Sequence, residues 1–304
     1  MMRVLFFAFL MAASLSSHAQ RLPETNLYLF DIEAVTDSIY RFSNPKFLSG
    51  FNLGGYNNQP SFVNDDELYI TVQMPSDTTQ SDIFALDLAN EKLTRVTQTL
   101  ESEFSPYFIP PTDAEIDAGN YSFSAVRIET DANRSQRLWR FPMDRSNKGS
   151  LVFRTIDNIG YYHWVGARRV ALFLVGTPHR LVVADTRTET TVDIASDIGR
   201  CIQPLPNGNL AYVDKSSSGS WLLKRLDTRF YRSQLITATL PGSEDFAVLE
   251  DGTFLMGSGS KLYKLHPRKD NSWIEIADLS YYGILNISRL AVTDGKIALV
   301  GSGR

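Results

Sequence analysis

The chain has 304 residues, 43% of them hydrophobic and 12% aromatic, with 30 Lys+Arg against 34 Asp+Glu, four His and one Cys. This apolar content supports a sizeable core and excludes wholesale disorder, and a formal net charge of −4 lacks the basic surface that nucleic-acid binding requires. The lone Cys201 excludes an internal disulfide framework and any multi-cysteine metal site, and it reads as a buried filler.

In chain order, Met1 to Gln20 reads as a secretory leader. Arg3 is followed by an apolar run from Val4 to Leu15, then by small residues Ser17 and Ala19 suited to cleavage before Gln20. The rival reading is a membrane anchor, but the run is shorter than the roughly 20 apolar residues that a spanning helix needs. No Cys lies near the cleavage point, so a lipid anchor is not expected there, and no later segment approaches spanning length. Residues 1–19 are therefore expected to be a cleaved signal peptide and 20–304 a single domain, periplasmic or secreted, with no stable membrane insertion.

The rest of the chain repeats itself. An apolar strand ending in a polar turn, often Asp, appears as Leu27-Tyr-Leu-Phe-Asp31, Ile83-Phe-Ala-Leu-Asp87 and Leu138-Trp-Arg-Phe-Pro142. It returns as Leu181-Val-Val-Ala-Asp185, Leu223-Lys-Arg-Leu-Asp227 and Leu262-Tyr-Lys-Leu-His266, at an average spacing of about 47 residues. A second strand follows each phrase, for example Leu93-Thr-Arg-Val and Thr191-Val-Asp-Ile. Hairpins precede most phrases, including Pro204-Leu-Pro-Asn-Gly-Asn-Leu-Ala-Tyr and Val248-Leu-Glu-Asp-Gly-Thr-Phe-Leu-Met. Their Asn-Gly and Asp-Gly pairs predict type I′ turns, in which both central residues take positive φ. One hairpin is interrupted, with Pro110 to Gly119 inserted where its tight turn should be.

Four strands per period, apolar on both faces, predict an all-β fold: a six-bladed β-propeller of four-stranded antiparallel blades. The N-terminal segment supplies two outer strands and the C-terminal segment supplies an inner hairpin. A composite blade from both termini is expected to close the ring and remove an exposed sheet edge.

The phrase Ser81-Asp-Ile-Phe-Ala-Leu-Asp-Leu-Ala-Asn-Glu-Lys-Leu-Thr-Arg-Val-Thr-Gln98, followed by Glu103-Phe-Ser-Pro-Tyr-Phe108, resembles the WD40-like repeat of TolB-like six-bladed propellers. Gln59-Pro-Ser-Phe62 repeats its closing phrase, and later blades match only in pattern. The resemblance covers the propeller part only, from about residue 25 to the end, and implies that fold; function does not transfer with it.

Motifs for chemistry are sparse. Gly257-Ser-Gly-Ser260 sits in a strand-to-strand turn and not before a helix, so it is no nucleophile elbow. His163, His179 and His266 show no i,i+4 or clustered spacing, which speaks against a His-based metal site. No catalytic residue or metal ligand is assigned.

Topology supplies the one candidate site. The six connections entering the innermost strands converge on one mouth of the central channel, and each carries an acid or an amide. The candidate partner-binding residues are Asn58, Glu101, Glu103, Asp157, Asn158, Tyr161, Asp197, Glu244, Asp245, Tyr282 and Asn286. Such an acidic mouth would suit a protein or peptide partner, a glycan, or a hard divalent cation such as Ca²⁺; solvated loops are polar in any case. The leading expectation is an exported, non-catalytic propeller binding a protein, peptide or glycan at this mouth. Six-bladed lactonase-type propellers hold a divalent cation at the same place, so a metal-dependent hydrolase or lyase is the alternative. A structural module of a cell-envelope complex, acting through its outer rim, is the third.

Overall fold

The computed structural model describes residues 21–302, so the predicted leader lies outside the described residues. In chain order, β1 (Asn26–Ala34) and β2 (Tyr40–Phe47) precede a complete blade of β3 (Tyr56–Asn64), β4 (Glu67–Gln73), β5 (Asp82–Asp87) and β6 (Lys92–Arg95). The next blade holds β7 (Ser102–Phe108), β8 (Ser122–Ile128), β9 (Gln136–Pro142) and β10 (Ser150–Leu151). It is followed by β11 (Ile159–Val165), β12 (Arg169–Leu174), β13 (Arg180–Asp185) and β14 (Thr191–Ser196). Then come β15 (Ile198–Pro204), β16 (Leu210–Asp214), β17 (Leu222–Asp227) and β18 (Arg232–Ala238). The blade of β19 (Phe246–Val248), β20 (Phe254–Ser258), β21 (Lys261–Leu265) and β22 (Ile274–Asp278) precedes the final hairpin, β23 (Asn286–Thr293) and β24 (Lys296–Ser302).

That hairpin joins the N-terminal strands in one sheet of order β2-β1-β24-β23, with Leu27 opposite Val300 and Leu29 opposite Ala298. The chain is thus an all-β, six-bladed propeller of four-stranded antiparallel blades, closed by a composite blade from both ends.

Both faces of each blade are apolar because each packs between two neighbours. Along β1, Leu27 and Leu29 point into a core shared with β4 and β5, while Phe30 and Ile32 point into one shared with β20 and β21. Strand β12 splits the same way: Val170 and Leu172 pack toward β8 and β9, Ala171 and Phe173 toward β15 and β16. The period-2 alternation of a strand turns successive side chains to opposite faces, so a continuous apolar run fills two cores at once. The remaining cores join β5 to β8 and β16 to β20, and the six clusters run unbroken around the ring. Inner strands are almost wholly buried, as in β16, whereas the outermost strands β14 and β18 are largely exposed.

Two local expectations are corrected. In the Asn207-Gly208 hairpin, Leu205 N–H bonds Asn209 O at 2.8 Å and Gly208 N–H bonds Leu205 O at 2.9 Å. The loop therefore has three residues, and only Gly208 (φ 78°) is left-handed. The Asp251-Gly252 hairpin closes alike, with Gly252 at φ 88°. Both are longer loops in which Gly takes the left-handed position after the turn, not the two-residue type I′ form. The insert after Pro110 is not a plain loop either: Asp113–Ala118 forms a short helix, α1. Thr112 caps it, its hydroxyl accepting from Glu115 N–H while the Glu115 carboxylate accepts from Thr112 N–H.

Candidate functional site

The repeat phrase with proline has a structural role at the channel wall. Gln59 and Ser105 precede Pro60 and Pro106, and both take left-handed φ, 55° and 54°. Each lies in a bulge of an innermost strand, where the register slips between Asn58 and Ser61 and between Phe104 and Tyr107. Proline cannot donate to a sheet ladder, and a bulge is where a strand tolerates it. The bulge also turns polar groups toward the neighbouring blade. Gln59 Oε1 accepts from Thr71 Oγ1 at 2.7 Å and from Ser105 N–H at 2.8 Å, and Tyr162 O–H donates to Ser105 O at 2.8 Å.

The innermost strands enclose a channel cavity of about 220 Å³, with Gln59, Tyr107, Tyr161, Arg200, Asp245 and Arg289 in its wall. A second cavity of about 150 Å³ lies at the mouth, lined by Arg200, Ser243, Glu244, Asp245, Asn286 and Ser288. Arg200 and Asp245 border both.

The predicted residues separate into three groups. Glu101, Glu244 and Asp245 are held by basic partners, and Glu103 lies beside one without a hydrogen bond to it. Arg127 Nη2 lies 3.0 Å from Glu101 Oε2, and its Nε lies 4.0 Å from Glu103 Oε1. Lys215 Nζ lies 2.5 Å from Glu244 Oε2. Arg289 Nη1 lies 2.9 Å from Asp245 Oδ2, whose other oxygen accepts from Leu290 N–H at 3.1 Å. Tyr161 belongs to this group: its hydroxyl accepts from Arg289 Nη2 at 3.0 Å, and the guanidinium lies 4.9 Å from its ring centroid. Asp157, Asn158, Asp197 and Asn286 are exposed, and Asn158 Nδ2 donates to Asp157 Oδ1 at 3.1 Å. Asn58 and Tyr282 serve the scaffold. Asn58 Oδ1 accepts from Gln59 N–H at 2.8 Å, and Tyr282 packs edge-on against Phe30 with centroids 5.0 Å apart.

The mouth is therefore not bare acid. The sequence reading missed its cations, because Arg127, Arg200, Lys215 and Arg289 lie within strands or just after them and not in the connections searched. Burial works to raise the Glu244 carboxyl, but Lys215 and Arg200 outweigh it and hold it below the usual range. Burial pushes Glu103 up to about 7, against hydrogen bonds from Thr99 and Thr97 and the attraction of Arg127. Glu103 is fully enclosed, and its Oε2 has no hydrogen-bond partner.

A Ca²⁺-type site needs several oxygen ligands aimed at one point. Among the described residues no group of three or more His, Cys, Asp or Glu side chains converges in that way. His163 is buried, its ring edge-on to Tyr107 at 4.7 Å, and burial lowers its pKa to about 3 so that it stays neutral. Cys201 is buried, with Sγ donating to Phe246 O at 3.3 Å, and burial pushes its thiol up.

With this geometry the molecule has the fold of a six-bladed β-propeller, shared with solved structures of several kinds. The chain is similar in structure to a protein assigned as TolB from Agrobacterium tumefaciens, at 11% identity, covering 92% of this chain and 98% of that one with a TM-score of 0.62. It is similar to TolB from Acinetobacter baumannii at 15% identity, over 68% of this chain but only 50% of that longer one, with a TM-score of 0.50. An oligogalacturonate lyase in complex with manganese shares 13% identity, over 93% of this chain and 98% of that one, with a TM-score of 0.54. No protein-family model and no curated protein matches the sequence. At these identities the likeness is one of fold, and the same fold hosts binding proteins and enzymes alike.

Proposed function

We propose that this is an exported, non-catalytic propeller that binds a protein or peptide partner at the mouth of its central channel. The observation that carries the reading is the composition of that end. Large apolar side chains stand in water on the end where the two recessed cavities open: Leu53 is 65% exposed, and Leu100 and Tyr281 are each 89% exposed. All three lie in connections that enter innermost strands. Solvated apolar side chains beside a recessed polar centre are what a partner surface covers. Export rests on the leader pattern of residues 1–19, and no helix among the described residues is long and apolar enough to cross a membrane.

The enzyme alternative draws less support. A metal-assisted hydrolase or lyase at this mouth would use Glu103, Asp157, Asp197 and Asp245, with Asn58 and Asn286; Glu103 and Asp245 face arginines, Asn58 is buried, and the other three stand in solvent. The test is capture from the native envelope extract by immobilised protein, comparing wild type with a Leu53→Ser/Leu100→Ser/Tyr281→Ala variant. Retention of the partner is expected to fall about tenfold. Unchanged capture would move the binding surface to the outer rim. Charge reversal at Glu103 or Asp245 is a poor probe, since each would place two like charges in a buried pair.

A further inference from the structure

Arg200, Lys215 and Arg289 face two carboxylates, Glu244 and Asp245. Lys215 takes Glu244 at 2.5 Å, and Arg289 takes Asp245 at 2.9 Å while also donating to Tyr161. Arg200 is the least satisfied of the three, since it shares Glu244 with Lys215. Its guanidinium carries five N–H donors in a rigid fork, yet its one side-chain hydrogen bond is a long one, from Nη2 to Ser288 O at 3.5 Å. Its Nε lies 3.4 Å from Glu244 Oε1 but is misdirected, so it has no hydrogen-bond partner. Arg200 also stands where the mouth cavity meets the channel cavity, with its side chain 35% exposed.

We propose that Arg200 is the anion receptor of the channel and takes the terminal carboxylate of a peptide entering from the mouth. This deepens the reading given above and rests on it. An under-used guanidinium recognises a planar carboxylate bidentately, and partial burial strengthens that bond relative to water. The recess sets the size of what enters. The channel cavity measures about 220 Å³. That is below the ~300–1,000 Å³ typical of sites that engulf a whole small molecule, and it suits the last residue of a chain. The rings of Tyr107 and Tyr161 in the cavity wall give that residue an apolar surface beside the charge.

The probe is a pool of random heptapeptides without Asp or Glu, made with free and with amidated C termini and passed in equal amounts over immobilised full-length protein. Wild type should enrich the free-acid pool about tenfold, as one charge-assisted hydrogen-bond pair allows. Arg200→Gln should bring the two pools to parity. Arg200→Lys, which keeps the charge without the fork, should fall between them and serves in place of Arg200→Gln if that variant does not fold. Parity in wild type, or undiminished preference in a natively melting Arg200→Gln, overturns the carboxylate receptor and leaves peptide binding standing. Retention of neither pool overturns the peptide reading itself. Retention of a galacturonate trimer in place of any peptide keeps Arg200 as a carboxylate receptor and overturns its peptide ligand.

Discussion

Lys264 is 1% exposed, with Nζ 2.9 and 2.8 Å from the two oxygens of Asp270, which also accepts from His266 N–H at 2.6 Å. Removing one partner of such a pair strands a buried charge, so Asp270→Ala should cost about 3–5 kcal/mol in denaturant unfolding. Lys264→Met combined with Asp270→Leu should recover most of that loss. Glu103 poses the opposite problem, a carboxyl that folding disfavours in its charged form. Below 4.5 it is protonated in both states; above about 7 the folded protein must carry a buried anion. Stability should thus decline as pH rises from about 4.5 to about 7, by about 3 kcal/mol at this group, and level off above that. Glu103→Gln should remove that part of the slope, read as the wild-type-minus-variant difference in unfolding free energy at each pH. Neither feature was legible in the sequence. In Leu262-Tyr-Lys-Leu-His266 nothing marks the lysine as buried, because its partner Asp270 lies beyond the following turn. Glu103 read as one acid among several in a polar connection, because its burial depends on the adjacent blade.

At the scale of elements the sequence was more explicit. A strand packed on both faces needs apolar residues at every position, and that demand wrote the repeat phrases directly into the chain. The turns were located correctly but given the wrong type, since Asn-Gly and Asp-Gly announce a left-handed residue without fixing the loop length. The helix α1 was missed although Thr112 and Glu115 have capping-box spacing, because six residues carry too little periodicity to register. The interior strand β24 and the outermost β18 should differ sharply in tolerance. Leu299 is paired to Tyr28 on one side and Leu290 on the other, whereas Leu235 is paired to Lys224 alone. Leu299→Pro should therefore prevent folding, and Leu235→Pro should give a folded protein of reduced melting temperature; circular dichroism distinguishes the two.

At the scale of the whole molecule, the pairing of β1 with β24 makes the ring continuous, so that the six innermost strands share one channel and one mouth. The sequence disclosed that convergence through the missing halves of its first and last repeats. It did not disclose the charge balance at the mouth: Arg127 sits opposite Glu103 within one blade, whereas Arg200 and Arg289 come from blades beside those of Glu244 and Asp245 and meet them only in the closed ring. Binding at the mouth is the central claim, and site-specific photo-crosslinking in the native host tests it most directly. A photoreactive residue in place of Leu100 or Tyr281 should form an adduct with the partner. The same residue at Leu235 on the outer rim, or at Phe230 at the opposite end, should form none. Adducts from Leu235 or Phe230 alone would contradict the account.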